Sequence, residues 1–109
     1  MNAQELRIGN YISNGVLPIK AGYDQVRFAE IFEPIPLTEE WLLKFGFVFR
    51  GIYYHFPLND IFKLEQYKHK NSFWLRHGKE SIDCTRINYV HQLQNLYFAL
   101  TGQELTIQE

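Results

Sequence analysis

The stretch Ile87-Asn88-Tyr89-Val90-His91-Gln92-Leu93-Gln94-Asn95-Leu96-Tyr97-Phe98-Ala99-Leu100-Thr101-Gly102 decides how this chain folds. Val90, Leu93, Tyr97 and Leu100 recur at intervals of three, four and three, which draws one apolar stripe down a helix. Tyr89, Leu96 and Phe98 widen the stripe, and Gly102 stands where a left-handed residue stops such a helix. The spacing predicts a long C-terminal helix at about 89–101 whose Leu93, Leu96, Tyr97 and Leu100 are buried against a sheet. A stripe of this kind speaks of packing, not of chemistry.

Upstream, five apolar runs at 47–49, 52–56, 61–65, 73–77 and 81–87 read as strands. Arg50-Gly51, Pro57-Leu58-Asn59-Asp60, Lys68-His69-Lys70-Asn71-Ser72 and His77-Gly78-Lys79 separate them. Connections this short join antiparallel neighbours, so the runs form a meander. Before them, Pro34-Ile35-Pro36 enforces an extended entry and Thr38 offers an N-cap. Glu39 and Glu40 sit in the first turn, where the helix dipole favours negative charge. Trp41, Leu42 and Phe45 make the buried side of a short helix at about 39–45, which Gly46 ends. Nearer the start, 6–12, 16–19 and 25–32 alternate loosely as three short strands. Asn14-Gly15 turns the first hairpin, and Pro18 points to an edge strand. A last extended segment is expected at 104–107. The fold class is α+β, in a single domain over 1–109: an antiparallel meander with one short and one long helix.

Composition agrees with a globular chain of 109 residues, 46% hydrophobic and 21% charged. Two Trp, seven Tyr and nine Phe exceed what a core this small requires, since each buried ring removes about 150–250 Å² from water. Some of these rings are therefore expected at the surface, where Tyr and Trp suit interfaces, although strands also favour aromatics. The net charge of −1 gives no overall attraction to nucleic acid or to an anionic membrane. One cysteine, Cys84, cannot form an internal disulfide and fits a reducing compartment. The opening Met-Asn-Ala-Gln-Glu has neither a basic nor an apolar signal region. No apolar run approaches the roughly 20 residues that cross a bilayer. A cytoplasmic protein is expected.

Three blocks carry a resemblance. They are Glu5-Leu6-Arg7-Ile8-Gly9-Asn10-Tyr11, Pro34-Ile35-Pro36-Leu37-Thr38-Glu39-Glu40-Trp41-Leu42-Leu43-Lys44-Phe45-Gly46-Phe47, and the run from Tyr89 to Gly102. In this order they resemble a group of small uncharacterised proteins of anaerobic gut bacteria and their phages or other mobile elements. The family has no assigned activity, substrate or site. The resemblance implies a bacterial or phage accessory protein and lends no functional residue.

No pattern of catalytic or cofactor-binding residues is legible. His69, His77, Cys84 and His91 stand eight, seven and seven residues apart, whereas structural zinc ligands usually come in close pairs. Cys84 and His91 would pair as nucleophile and base only if strand and helix met there, and no nucleophile elbow accompanies them. Glu39-Glu40 is explained by the helix dipole. The seven glycines are scattered as turn punctuation and form no phosphate loop. No catalytic, cofactor or metal residue is assigned, and no enzyme activity is expected.

One asymmetry remains. Residues 61–79 carry Lys63, Lys68, Lys70, Arg76 and Lys79 against Glu65 alone, a local charge of +4, with Phe62, Tyr67, Phe73 and Trp74 between them. Glu30, Glu33, Glu39 and Glu40 gather the opposite charge. Surplus rings and no catalytic motif suit a non-catalytic interaction module with a protein partner or a second copy as ligand. The alternative is a single-stranded nucleic-acid-binding hairpin. There Lys63, Lys68, Lys70, Arg76 and Lys79 would meet phosphates, and Tyr67 or Trp74 would stack on bases. Alternation puts Phe73 and Leu75 on one face and Trp74 and Arg76 on the less buried other.

Overall fold

The computed structural model describes Met1 and residues 3–59, 62–67 and 72–108. They form two compact units, one of 1–37 with 88–105 and one of 38–87 with 106–109. Among the described residues no helix is long and apolar enough to cross a membrane.

The first unit holds strands β1 (Tyr11–Ser13) and β2 (Pro18–Lys20), helix α1 (Tyr23–Arg27) and the C-terminal helix α3 (Val90–Thr101). β1 and β2 pair antiparallel, with Ile12 opposite Ile19. The Asn14 side-chain oxygen accepts from the N–H groups of Val16 and Leu17 and closes the hairpin loop. Leu6, Ile12, Ala21 and Ala29 form the core, with Met1, Ile19, Val26 and Phe32 packed against it.

Two expected strands take other forms here. Over 25–32 the chain makes α1 and then a 3-10 turn, Ala29–Ile31. The Gln25 side chain accepts the Gly22 N–H at 2.9 Å and caps α1. Coiling also brings Val26 and Ala29, three apart, to one side, and strict alternation would have turned Ala29 away from the core. Over 6–12, only the last two residues join a strand. Arg7 to Asn10 turns instead: the Asn10 N–H donates to the Arg7 carbonyl, and the Arg7 N–H to the Asn10 side chain at 2.7 Å. Ile8 is thereby left 60% exposed.

The long helix is present, but its buried face is rotated from the expected stripe. Val90, His91, Leu93 and Gln94 are the buried residues of α3. Leu96 and Tyr97 are half-buried, while Phe98 and Leu100 are 40% and 39% exposed. Polar contacts cause the rotation. Gln94, lying against β1, accepts the Tyr11 N–H at 2.8 Å and donates to the Gly9 carbonyl at 3.2 Å. Asn95 accepts from Arg7 Nε and Asn10 Nδ2 and donates to the Glu5 carbonyl. Arg7 also pairs with Glu104 and lies 4.3 Å from the centre of the Phe98 ring. The start of α3 is closed by Gln92, whose side chain accepts the N–H groups of Asn88 and Tyr89. Its end is Gly102, at a left-handed φ of 73°.

The second unit is helix α2 (Glu39–Lys44) followed by the meander β3 (Val48–Phe49), β4 (Tyr53–Pro57), β5 (Phe62–Tyr67), β6 (Ser72–His77) and β7 (Glu80–Arg86). Sheet order equals chain order, and every pair is antiparallel. Thr38 caps α2 by accepting the Trp41 N–H. Gly46 ends it at φ +98°, where a Cβ would lie 2.9 Å from Gln108. One sheet face is buried through Tyr54, Leu64 and Phe73, and Phe47 meets Phe56 and Phe73 at ring distances of 5.1 and 6.2 Å. The expected extended segment at 104–107 pairs with no strand; beyond it, the Gln108 N–H donates to the Lys44 carbonyl.

Two outcomes follow from the buried polar groups of α3. Gln94→Ala strips the Tyr11 N–H of its acceptor and is expected to cost about 2–3 kcal/mol in chemical denaturation. Gln94→Met, which restores bulk but not the hydrogen bonds, is expected to recover less than half of that loss. His91 is 2% exposed and neither ring nitrogen has a hydrogen-bond partner among the described residues. Burial lowers its pKa and so does the Met1 ammonium, with Glu5 acting in the opposite sense. The folded state therefore binds fewer protons than the unfolded chain below the usual histidine pKa of about 6.5. Stability is expected to fall as pH drops from about 7 through 6.5 and below. His91→Leu is expected to flatten that limb of a melting-temperature profile, and an unchanged limb would exclude His91 as its source.

Candidate functional site

Register assembles the site on the second unit's other sheet face. Lys63 lies opposite Arg76, and Glu65 opposite Trp74. On β4, Tyr53 lies opposite Tyr67 and His55 opposite Glu65. On β7, Ser81 lies opposite Arg76 and Asp83 opposite Trp74. Side chains two apart share a face, so Tyr53, His55, Lys63, Glu65, Tyr67, Trp74, Arg76, Ser81 and Asp83 stand together. Trp74 and Arg76 share one face and Phe73 and Leu75 the other; Phe73 is fully buried, while Trp74, Leu75 and Arg76 are all intermediate.

The charges on this face are not all free. Arg76 Nε donates to Glu65 at 2.7 Å, and Glu65 is 3% exposed. The two are diagonal neighbours across β5 and β6, a separation that long side chains span. The hydrogen bond and charge of Glu65 raise the Arg76 pKa. Arg76, expected as a phosphate contact, is thus a half-buried counter-ion to an acid. Lys63 is exposed on the same face. Lys79 is exposed in the turn between β6 and β7. Lys68 and Lys70 lie outside the described residues. Next to Lys63, Arg50 Nε donates to His55 Nε2 at 3.1 Å. Burial and then the charges of Arg50 and Lys63 hold the His55 pKa below its usual value.

The rings complete the face. Tyr53 and Tyr67 are 6.0 Å apart between centroids, and Tyr53 and His55 6.5 Å. A pocket of about 140 Å³ opens between Glu65, Tyr67, Trp74, Arg76 and Ser81. This is close to the roughly 150 Å³ of a cavity that holds one benzene. The Trp74 indole N–H is shut off from water and meets no acceptor among the described residues. An unpaired buried donor costs about 1–3 kcal/mol.

Among the described residues no three His, Cys, Asp or Glu side chains gather as a metal site requires, and His69 lies outside them. His77 is exposed at the end of β6. Cys84 is the extra residue of a β-bulge, because Phe73 pairs with Thr85 and Trp74 with Asp83. Burial first, and then Asp83, push its thiol pKa up. That is the reverse of what activates a nucleophile. Cys84 and His91 belong to different units.

Sequence reasoning missed Tyr53, His55, Glu65 and Ser81. The alternation within β4 held the signal for the first two. Glu65 and Ser81 needed the register, which a single sequence does not contain. The chain matches no protein-family model, no curated protein and no solved structure.

Arg76→Met leaves the Glu65 carboxylate buried without its cation and is expected to destabilise the protein by about 3–5 kcal/mol in urea. The paired change Arg76→Met with Glu65→Leu is expected to regain most of that loss. If Arg76→Met alone proves neutral, Glu65 is not held by this pair.

Proposed function

We propose that the chain is a non-catalytic interaction module that docks a protein partner on the open face of its meander. One observation carries this reading: Tyr67, Trp74 and Arg76 line a pocket of single-ring size, with Tyr53 beside Tyr67 on the neighbouring strand. Tryptophan, tyrosine and arginine are the residue types that dominate binding energy at protein interfaces, most of all around a central pocket. The face also carries balanced charge, with Glu65 answering Arg76, and with Asp83 on β7 and Lys63 on β5 separated by the single strand β6. Such balance suits a protein surface better than a polyanion. The lone cysteine and the resemblance of the three blocks support a cytoplasmic accessory protein of bacterial or phage origin.

A second reading uses the same face. Lys63 beside the rings of Tyr67 and Trp74 has the elements of a single-stranded nucleic-acid platform, cations for phosphate and π-faces for bases. Arg76 weakens it, since a guanidinium already bonded to a buried carboxylate has less to offer a phosphate.

Capture of partners from a bacterial host lysate tests the two together. Trp74→Ala is expected to reduce capture at least tenfold, while Tyr23→Ala, an exposed ring of the other unit, leaves it unchanged. Equal losses in both variants would remove the sheet face as the docking surface. A fluorescence titration with a mixed-sequence single strand at low salt is expected to be flat. A saturable response that weakens with salt would favour the nucleic-acid reading.

A further inference from the structure

The pocket on the sheet face has a chemistry of its own. Its two charged members cancel, because Arg76 Nε and Glu65 Oε1 are 2.7 Å apart. A cationic guest would meet the Arg76 guanidinium, and an anionic one the Glu65 carboxylate, so neither sign of charge gains. The polar atoms left over are of both kinds. Arg76 gives Nε to Glu65 and also interacts with the Tyr67 hydroxyl, and its guanidinium carries more N–H groups than these two partners take; Ser81 lies directly across the strand pair from it. On the other side, Glu65 takes one hydrogen bond on Oε1, and Oε2 receives none among the described residues. The walls, Tyr67 and Trp74, are flat.

A guest that is neutral and planar, with a carbonyl oxygen beside an N–H, satisfies all of these at once. We propose that the pocket receives a primary carboxamide, the side chain of an Asn or Gln on the protein partner. The amide oxygen accepts from Arg76 and Ser81, its NH2 donates to the free oxygen of Glu65, and its plane lies along the ring walls. About 140 Å³ accommodates such a group. A site with unmet donors and acceptors discriminates, because a guest lacking one partner leaves polar groups unpaired. The proposal rests on the reading of this face as a protein-docking surface and names the chemistry at its centre.

Small probes test it without the partner. Trp41 and Trp74 are the two tryptophans, so the indole N–H resonance lost in Trp74→Phe identifies that of Trp74. Propionamide is expected to shift this resonance saturably in the millimolar range, with propionate and propylammonium at least tenfold weaker. Ser81→Ala is expected to weaken propionamide several-fold while leaving the melting temperature unchanged. The proposal is overturned if propionamide produces no shift, or if either charged probe matches it. A saturable shift with cytidine but none with propionamide also overturns it and assigns the pocket to a nucleobase. Silence from propionamide, with Trp74-dependent partner capture intact, removes the carboxamide and leaves the protein-docking reading standing.

Discussion

The first unit depends on two side-chain amides acting as backbone. Gln94 offers β1 the acceptor and donor that another strand would supply. Asn95 does the same for the segment before it, bonding Arg7, Asn10 and the Glu5 carbonyl. A three-residue strand in a two-stranded sheet is marginal by itself, and its outer edge would leave N–H groups without partners. The amides answer that need from a helix, which must then present a polar row to the interior. Most of what distinguishes α3 from an ordinary amphipathic helix comes from this requirement. The exposed Phe98 is one result, since the Arg7 guanidinium covers its ring.

The second unit solves a related problem with charge. Glu65 occupies a position that alternation turns away from Leu64, yet it is as buried as many core residues. Arg76 makes that tolerable, and in doing so it withdraws from the surface most of a charge that the sequence displayed. Buried ion pairs contribute little net stability compared with apolar replacements. What this one contributes is position: it holds a guanidinium and a carboxylate side by side between two rings.

The sequence made the second unit largely legible. Period-two patterning and turn residues marked all five meander strands to within two residues or so, and Thr38 and Gly46 framed α2 from local chemistry. The first unit was less so, for a physical reason. Leu6 to Ile12 alternates like a strand, but Asn10 bends it by bonding the Arg7 N–H, and α1 reads as a strand unless Ala29 is known to be core. Likewise the α3 stripe was drawn from apolar residues alone, whereas the helix buries His91 and Gln94 beside Val90 and Leu93. At the site, composition found Lys63, Tyr67, Trp74 and Arg76. It could not find the Glu65 pairing, which depends on which residues β5 and β6 set side by side.

The chain order of the two units bears on how the protein is made. The second unit is nearly one continuous segment, whereas the first is split, its α3 arriving after the whole meander. Contacts among sequence-adjacent hairpins close short loops and form early. The β1–β2 hairpin, paired with Glu33 at Ser13, must wait for the partners of Tyr11 and Gly9 until Gln94 and Asn95 have left the ribosome. During synthesis the meander is therefore the first part able to fold, and the amino-terminal segment, though made first, is the last to be completed.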